Sequence, residues 1–178
     1  DKIPDFPTEA VPNFDDHKTN IVLHPKSQGS AVEWGMEHYT QLIELNKDNN
    51  SVHFYITGTE KEAKDIRPYL PTSANFTDVT GKMSLKELIG FIYRCDSIVA
   101  CSTGPLHIGG ILNRKAIGLF SPKKPIHPGR WKAIGMKSIA IVNDAGCKNC
   151  QQDKDCDCIK KISATRVSRI ALQETLFQ

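Results

Sequence analysis

The chain has 178 residues, of which 39% are hydrophobic and 24% charged, and its formal net charge at pH 7 is +3. This length fits one domain, or one domain with an extension, and the apolar fraction is sufficient for a real core. No apolar stretch approaches the roughly 20 residues of a membrane span, and the mild positive charge favours an anionic small ligand over nucleic acid, which usually needs a clustered basic patch. The densest basic cluster, Lys123, Lys124, His127, Arg130 and Lys132, is typical of a solvated loop.

The first 19 residues form a proline-rich opening. Pro4, Pro7 and Pro12 stand there among scattered acidic residues. Residues 1–19 are therefore predicted to be a linker, or the surface strap of a larger protein, ahead of a domain at 20–178. The chain begins at Asp1 and shows no signal peptide, so we expect a piece excised from a longer protein.

Short apolar runs alternate with amphipathic segments through the rest of the chain. The apolar runs predict strands at 21–23, 52–56, 76–79, 98–101, 116–120 and 138–142. The amphipathic segments predict helices at 35–46, 60–69, 84–94 and 164–176, with another directly after Gly104. Helical spacing predicts inward-facing side chains at Tyr39, Leu42, Ile43 and Leu45 in the first helix and at Leu85, Leu88, Ile89 and Ile92 in the third.

This alternation of strands and helices indicates parallel βαβ units. The predicted fold class is α/β, with a Rossmann-like, doubly wound, mainly parallel sheet and helices on both faces. Ligands of such sheets bind outside the carboxyl ends of the strands. The loops that follow the predicted strands are therefore the places to look for functional residues.

Residues 97–107 carry the strongest single signal. An apolar strand stops at Ser102, Thr103 and Gly104, and Pro105 then begins a helix. Proline suits a first helical position, serine and threonine can cap, and the amides of a first helical turn attract phosphate. His107 lies about one turn into this helix and so near any bound anion, although capping or packing explains a histidine at this position equally well.

Two other predicted strands also end in polar loops of small residues. The loops at 24–30, 57–60 and 102–104 each follow a strand, and hydroxyl and glycine residues let backbone amides approach phosphate. Together they predict one shared ligand crevice, and ordinary βα turns with N-caps are the alternative. Glu60 suits either the helix dipole or a ribose hydroxyl, and Met83 suits either the core or a nucleotide base. The sequence contains no G-x-G-x-x-G dinucleotide motif and no G-K-[ST] P-loop.

Several longer motifs follow one another in a characteristic order. From the N-terminus they are His24-Pro25, Gly29-Ser30-Ala31 and Trp34, then T-G-K-M-S-L at 80–85, S-T-G-P-L-H at 102–107, K-A-I-G-L-F-S-P at 115–122 and H-P-G-R-W at 127–131. In this order they resemble the C-terminal half of glycosyltransferase family 9, the bacterial lipopolysaccharide heptosyltransferases. The resemblance covers roughly residues 20–175, and the cysteine-rich tail agrees with it.

This resemblance implies one half of a GT-B architecture, in which two Rossmann-like domains face each other across a cleft. The present half would bind a nucleotide-sugar donor, usually ADP-heptose. The missing N-terminal half would hold the lipopolysaccharide core acceptor and supply the catalytic base for an inverting transfer. The resemblance implies no required cofactor, no transfer by this chain alone, and a cytoplasmic location with peripheral contact at the inner membrane.

The resemblance also assigns donor contacts. They are Ser27 and Gln28 near the diphosphate, Glu60 near the ribose, Met83 near the adenine, and Ser102, Thr103, Gly104 and His107 around the diphosphate and sugar. At two positions this chain departs from the family pattern, and these departures bear on which sugar the donor carries more than on whether the donor is a nucleotide sugar. Many members carry Asp where this chain has Ser102, and many carry Lys or Arg where it has Val32. We expect Lys26, in the same loop, to supply the positive charge that Val32 lacks.

Two other functions stay compatible with these residues. The first is a non-catalytic nucleotide-binding module with a zinc-stapled tail, which the missing acid at Ser102 favours. The second is a GT-B-like sugar-nucleotide epimerase. An upstream Rossmann-like half with an acidic residue in its first loop would favour transfer over both.

Six cysteines complete the set of candidate residues. Cys95 and Cys101 flank a predicted buried strand and are expected to be unreactive core residues. The tail segment 147–158 carries the other four, Cys147, Cys150, Cys156 and Cys158. Their density suits a tetrahedral zinc site, although a C-x-C end is less usual than a second C-x-x-C, and a cytosolic setting disfavours disulfides. The sequence leaves three states possible for these four cysteines: bound to zinc, reduced, or joined in disulfides.

Overall fold

The computed structural model describes residues 3–11, 14–73, 75–123, 127–143, 146–152 and 157–173. Its strands are β1 (Thr19–His24), β2 (Val52–Ile56), β3 (Phe76–Asp78), β4 (Ser97–Cys101), β5 (Lys115–Phe120) and β6 (Ile139–Val142). They form one parallel sheet in the order β3-β2-β1-β4-β5-β6. This is the Rossmann strand order, so the predicted α/β, doubly wound fold class is confirmed.

Seven helices accompany the strands in the described residues. They are α1 (Met36–Glu44), α2 (Glu60–Ile66), α3 (Leu85–Arg94), α4 (Gly104–Ile111), α5 (Pro128–Trp131), α6 (Lys148–Gln151) and α7 (Ala164–Leu172). Short 3₁₀ turns lie at Thr8–Ala10, Arg67–Tyr69 and Ile159–Lys161. The sequence did not predict α5 and α6, because a helix of four residues is too short to show a hydrophobic period. None of the described helices combines the length and the apolarity needed to cross a membrane.

Two helices begin at capping boxes written in the sequence. The hydroxyl of Thr59 accepts the amide of Glu62 at 3.3 Å, and the Glu62 carboxylate accepts the Thr59 amide at 2.7 Å. Ser84 and Glu87 make the same reciprocal pair at 3.4 and 2.7 Å. Each box satisfies amides that have no partner inside the helix, which fixes where α2 and α3 start.

The sheet is covered on both faces, so successive residues of its central strands enter different cores. On one face, side chains such as Leu23 and Val99 pack with residues of α1, α2 and α7. On the other, Val22 and Ile98 pack with residues of α3 and α4. Every residue of β2, β4 and β5 is buried. Such burial is typical of a parallel sheet between helical layers.

The predicted inward faces are correct in part. Tyr39, Leu42, Ile43 and Ile92 are buried, and Leu88 and Ile89 are half-buried. The prediction for Leu45 is wrong: it is 50% exposed, because α1 ends at Glu44 and the chain turns there. The prediction for Leu85 is also wrong, since this first residue of α3 lies at the rim of a cavity and is 65% exposed.

The segment before β1 lies against α3. The rings of Phe6 and Phe14 have centroids 5.2 and 6.0 Å from that of Phe91, which belongs to α3. Arg94, at the end of the same helix, donates to Asp16 at 2.8 Å. The described part of this segment therefore helps to close the second core.

Candidate functional site

The site lies where β1, β2 and β4 end. Because β1 is flanked by β2 on one side and β4 on the other, the loops after these three strands come together at one edge of the sheet. The strand order reverses between β1 and β4, and such a switch point is the usual ligand site of this fold. The sequence predicted this meeting of loops from the parallel topology and from the small polar residues that follow each of the three strands.

Two neighbouring cavities open between these loops. The first, called here the apolar cavity, has a volume of about 240 Å³ and is lined in part by Thr57, Gly58, Val79, Met83, Leu85 and Leu88. The second, called here the polar cavity, has a volume of about 400 Å³ and is lined in part by Lys26, Ser27, Ser30, Thr103 and Gly104. Both cavities share His24, Gln28, Glu62 and Pro105. A ligand with an apolar end and a polar end could therefore occupy them together.

Glu33 organises the loop that forms one wall of the polar cavity. Its carboxylate accepts the Lys26 ammonium at 2.6 Å, the Ser27 amide at 2.9 Å and the Ser27 hydroxyl at 3.1 Å. Burial alone would raise the pKa of Glu33, but the hydrogen bonds from Lys26 and Ser27 lower it. The hydrogen bond to Glu33 in turn raises the pKa of Lys26. The lysine expected to serve the diphosphate thus has its charge balanced within the loop.

The opposite wall is the N-terminus of α4. Thr103 is the residue before the helix, and Pro105 stands in the first turn. Threonine can cap a helix, but the Thr103 side chain does not cap α4: its hydroxyl makes no capping bond, is buried, and has no hydrogen-bond partner. A buried hydroxyl without a partner costs about 1–3 kcal/mol. The arrangement suits a ligand oxygen that accepts from Thr103 beside the positive end of the helix.

His24 and Glu62 stand between the two cavities, and sequence reasoning assigned a role to neither. Nδ1 of His24 and the Thr57 hydroxyl form a hydrogen bond of 2.9 Å, and the same hydroxyl lies 3.2 Å from the Leu23 carbonyl. Glu62 is buried and accepts both the amide and the hydroxyl of Thr59, at 2.7 and 2.8 Å. The position of His24 at a strand end and the capping-box spacing of Glu62 were the available signals.

The burial of His24 makes stability depend on pH. Burial lowers the pKa of His24 below its ordinary value of 6.5, against smaller opposing effects of Glu62 and Glu33. Because the unfolded chain binds this proton more readily, the stabilisation is present above pH 6.5 and is lost as the pH falls through the folded pKa. We expect the free energy of unfolding from urea titrations to fall as the pH drops below 6.5.

His24→Asn is the variant that assigns this slope, because its side-chain amide can still form a hydrogen bond with Thr57. We expect it to flatten the pH profile in part, since burial also lowers the pKa of His53. His17→Asn, at an exposed position, serves as the control and should keep the wild-type profile. An unchanged profile in His24→Asn would contradict the assignment.

The predicted donor contacts fall into two groups in the structure. Lining the two cavities are Lys26, Ser27, Gln28, Met83, Thr103 and Gly104. Glu60, Ser102 and His107 are not among the lining residues. Glu60 is the first residue of α2 and pairs with Arg67 at 3.5 Å on the surface, whereas Glu62 folds back over the start of the helix. The acidic residue between the cavities is therefore Glu62.

The cysteines also form two groups. Cys95 and Cys101 are buried core residues, as predicted, and burial raises the pKa of Cys95 and that of Cys101, the latter to about 12. In the tail, the sulfur atoms of Cys147, Cys150 and Cys158 lie within 4.8 Å of one another. The neighbouring amide of Cys150 and the thiol of Cys158 lower the pKa of Cys147 to about 7. These three thiols could hold a metal ion, whereas Cys156, the fourth predicted ligand, lies outside the described residues.

Comparison with known proteins gives a consistent result. The family model of glycosyltransferase family 9 (heptosyltransferase) matches residues 4–160. The lipopolysaccharide core heptosyltransferase OpsX of Haemophilus influenzae is 24% identical over 115 residues, which are 64% of this chain and 33% of the relative. Lipooligosaccharide heptosyltransferase 2 of Campylobacter jejuni is 23% identical over 159 residues, 84% of this chain and 49% of the relative.

Solved structures show the same fold. ADP-heptose lps heptosyltransferase II of E. coli superposes with a TM-score of 0.70 at 21% identity, over 89% of this chain and 46% of that one. E. coli heptosyltransferase WaaC, solved with ADP, gives a TM-score of 0.68 at 17% identity, over 91% of this chain and 46% of that one. The chain thus spans between a third and a half of the length of these proteins.

Proposed function

Because this chain belongs to glycosyltransferase family 9, we propose that it is the donor-binding half of an inverting heptosyltransferase-like enzyme. The donor would be a nucleoside diphosphate sugar, with ADP-heptose favoured because one structural neighbour was solved with ADP and another carries ADP-heptose in its name. The acceptor would be a lipopolysaccharide core, as the names of the relatives suggest.

The single observation that carries this proposal is the Thr103 hydroxyl. It is buried and has no partner, and Thr103 lines the polar cavity at the N-terminus of the eight-residue helix α4. A diphosphate oxygen would accept from this hydroxyl and would also meet the positive end of the helix. This contact between the diphosphate and Thr103 needs no cation from the cavity wall. It is therefore compatible with the pairing of Lys26 with Glu33.

The apolar cavity supports a nucleoside at the other end of the ligand. Met83, Val79 and Leu88 line it, and a soft apolar surface of this kind packs well against a flat base. Glu62 lies where the two cavities meet, so a ribose between base and diphosphate would face a carboxylate that can accept its hydroxyls. Glu60, Ser102 and His107 do not line the cavities, so any contact they make with the donor would come from the rim of the two cavities.

The chemistry proposed for this half is stabilisation of the leaving group. An acceptor hydroxyl attacks the anomeric carbon with inversion, and the nucleoside diphosphate departs with its negative charge beside the start of α4. Fixed dipoles aimed at a developing charge lower the barrier without reorganising during the reaction. His24 and Glu62 are buried in hydrogen bonds with threonines and are poor candidates for the base, which we assign to the other half of the enzyme.

The variant Thr103→Val tests the proposal. It keeps the shape of the side chain and removes the hydroxyl, so the affinity for ADP measured by calorimetry should fall about 10–100-fold, the worth of one hydrogen bond to a charged group. The free energy of unfolding should not fall, because the hydroxyl has no partner in the free chain.

Ser97→Ala is the matched control. Its hydroxyl is also buried without a partner, but it stands at the opposite end of β4, far from the cavities. ADP affinity should be unchanged in this variant. If the wild type bound none of ADP, UDP and GDP detectably, the proposed donor site would be overturned. If this chain alone transferred heptose, the assignment of the catalytic base to the other half of the enzyme would be overturned.

A further inference from the structure

Three thiols from separate turns of the tail meet at one point. Cys147 precedes α6, Cys150 lies inside that helix, and Cys158 precedes the 3₁₀ turn at Ile159–Lys161. Their sulfur atoms all lie within 4.8 Å of one another, and no disulfide bond joins the cysteines that the structure describes. Cys150 and Cys158 are 4% and 3% exposed, while Cys147 is half-buried.

The position of α6 explains why the sulfur atoms of Cys147 and Cys150 lie close together. A residue directly before a helix turns its side chain back over the first turn, so positions 147 and 150 bring their sulfurs together as a capping pair does. Their C-x-x-C spacing is the usual spacing of a zinc ligand pair. Cys158, directly before the 3₁₀ turn at Ile159–Lys161, supplies the third sulfur at the same point.

We infer that Cys147, Cys150 and Cys158 bind a Zn²⁺ ion. Tetrahedral zinc with bonds of about 2.3 Å to sulfur holds its thiolates roughly 3.8 Å apart, which lies within the observed limit. A disulfide would join only two of the three sulfurs. Soft thiolate ligands favour zinc over magnesium or calcium.

The ion would have a structural role, since none of these thiols is among the described residues that line the cavities. Directly after Cys158 the chain enters the core, where Ile159 and Ile162 are each 1% exposed. The carbonyl of Ile162 accepts the indole N–H of Trp34 at 2.8 Å. A zinc ion would therefore fasten the tail that supports Trp34, the residue that follows Glu33 of the polar cavity loop.

Metal content of the 178-residue chain, purified without chelator and measured by mass spectrometry, tests the inference. We expect about one zinc per chain. Cys147→Ser and Cys158→Ser should weaken zinc binding at least about tenfold, because loss of a direct ligand costs no less than loss of a supporting residue. Cys95→Ala, which removes a thiol from the other core, is the matched control and should keep full zinc content.

Cobalt reconstitution of the wild type keeps the test independent of the folding of the variants. Stoichiometric Co²⁺ should give intense thiolate charge transfer and a tetrahedral ligand-field spectrum, and chelation should lower the Tm until zinc is restored. Absence of these bands with all thiols reduced, or a disulfide within this group in protein purified under reducing conditions, would overturn the inference. Neither outcome bears on ADP affinity, which tests the proposed function separately.

Discussion

Replacing Trp34 by alanine is expected to lower the free energy of unfolding by about 3–5 kcal/mol. The indole is completely buried, stacks on His38 with ring centroids 5.0 Å apart, and meets Tyr39 edge-on at 4.9 Å. Its removal leaves a large cavity in the core and leaves the Ile162 carbonyl without its donor. Urea titration followed by circular dichroism measures the change.

Two further variants separate the causes of this loss. Trp34→Phe keeps most of the apolar volume but removes the N–H, so we expect a loss nearer 1–3 kcal/mol. Trp131→Ala is the control at the other tryptophan, which is 43% exposed, and should cost less than about 1 kcal/mol. Equal losses in Trp34→Ala and Trp131→Ala would show that Trp34 does not anchor the core.

Gly104→Asp is expected to weaken ADP binding at least about 100-fold. A Cβ built at Gly104 meets no atom within 4 Å, so the fold accepts a side chain there, and a carboxylate at a helix N-terminus is favourable. The same carboxylate would occupy the place proposed for the diphosphate. Two unit charges about 4 Å apart near a protein surface repel each other by about 4 kcal/mol. Calorimetry with ADP gives the affinity.

Gly104→Asn separates charge from bulk, because its side chain has nearly the same shape and no charge. It should bind ADP at least about tenfold more tightly than Gly104→Asp, and both variants should be as stable as the wild type. If the two variants bound ADP equally, the start of α4 would not be the site of the diphosphate.

Much of this architecture could be predicted because the informative residues are local. Continuous apolar runs such as 98–101 locate strands buried on both faces, and the alternation with helices makes the sheet parallel. Parallel strands place the ends of β1, β2 and β4 at one edge, so the crevice follows without any knowledge of tertiary contacts. The helix starts at Glu60 and Leu85 follow from Thr59 and Ser84, which cap them.

The rest depends on where a helix begins and ends and on contacts distant in sequence. Glu60 and Glu62 look alike in the sequence, but only the third residue of the helix reaches back to the N-cap and so into the crevice. Leu45 has helical spacing, but the helix stops one residue earlier. The link between Trp34 and Ile162 spans 128 positions, and no local pattern encodes it.

The pairing of Lys26 with Glu33 bears on how strongly dissolved salt would affect this site. With that ion pair balanced and His24 held in its neutral form by burial, an anion in the polar cavity would be met by peptide dipoles and a hydroxyl. Mobile ions screen exposed cations effectively, but they act weakly on dipoles fixed within a protein wall. Anion binding in such a cavity would persist at ionic strengths that disrupt a lysine-rich site.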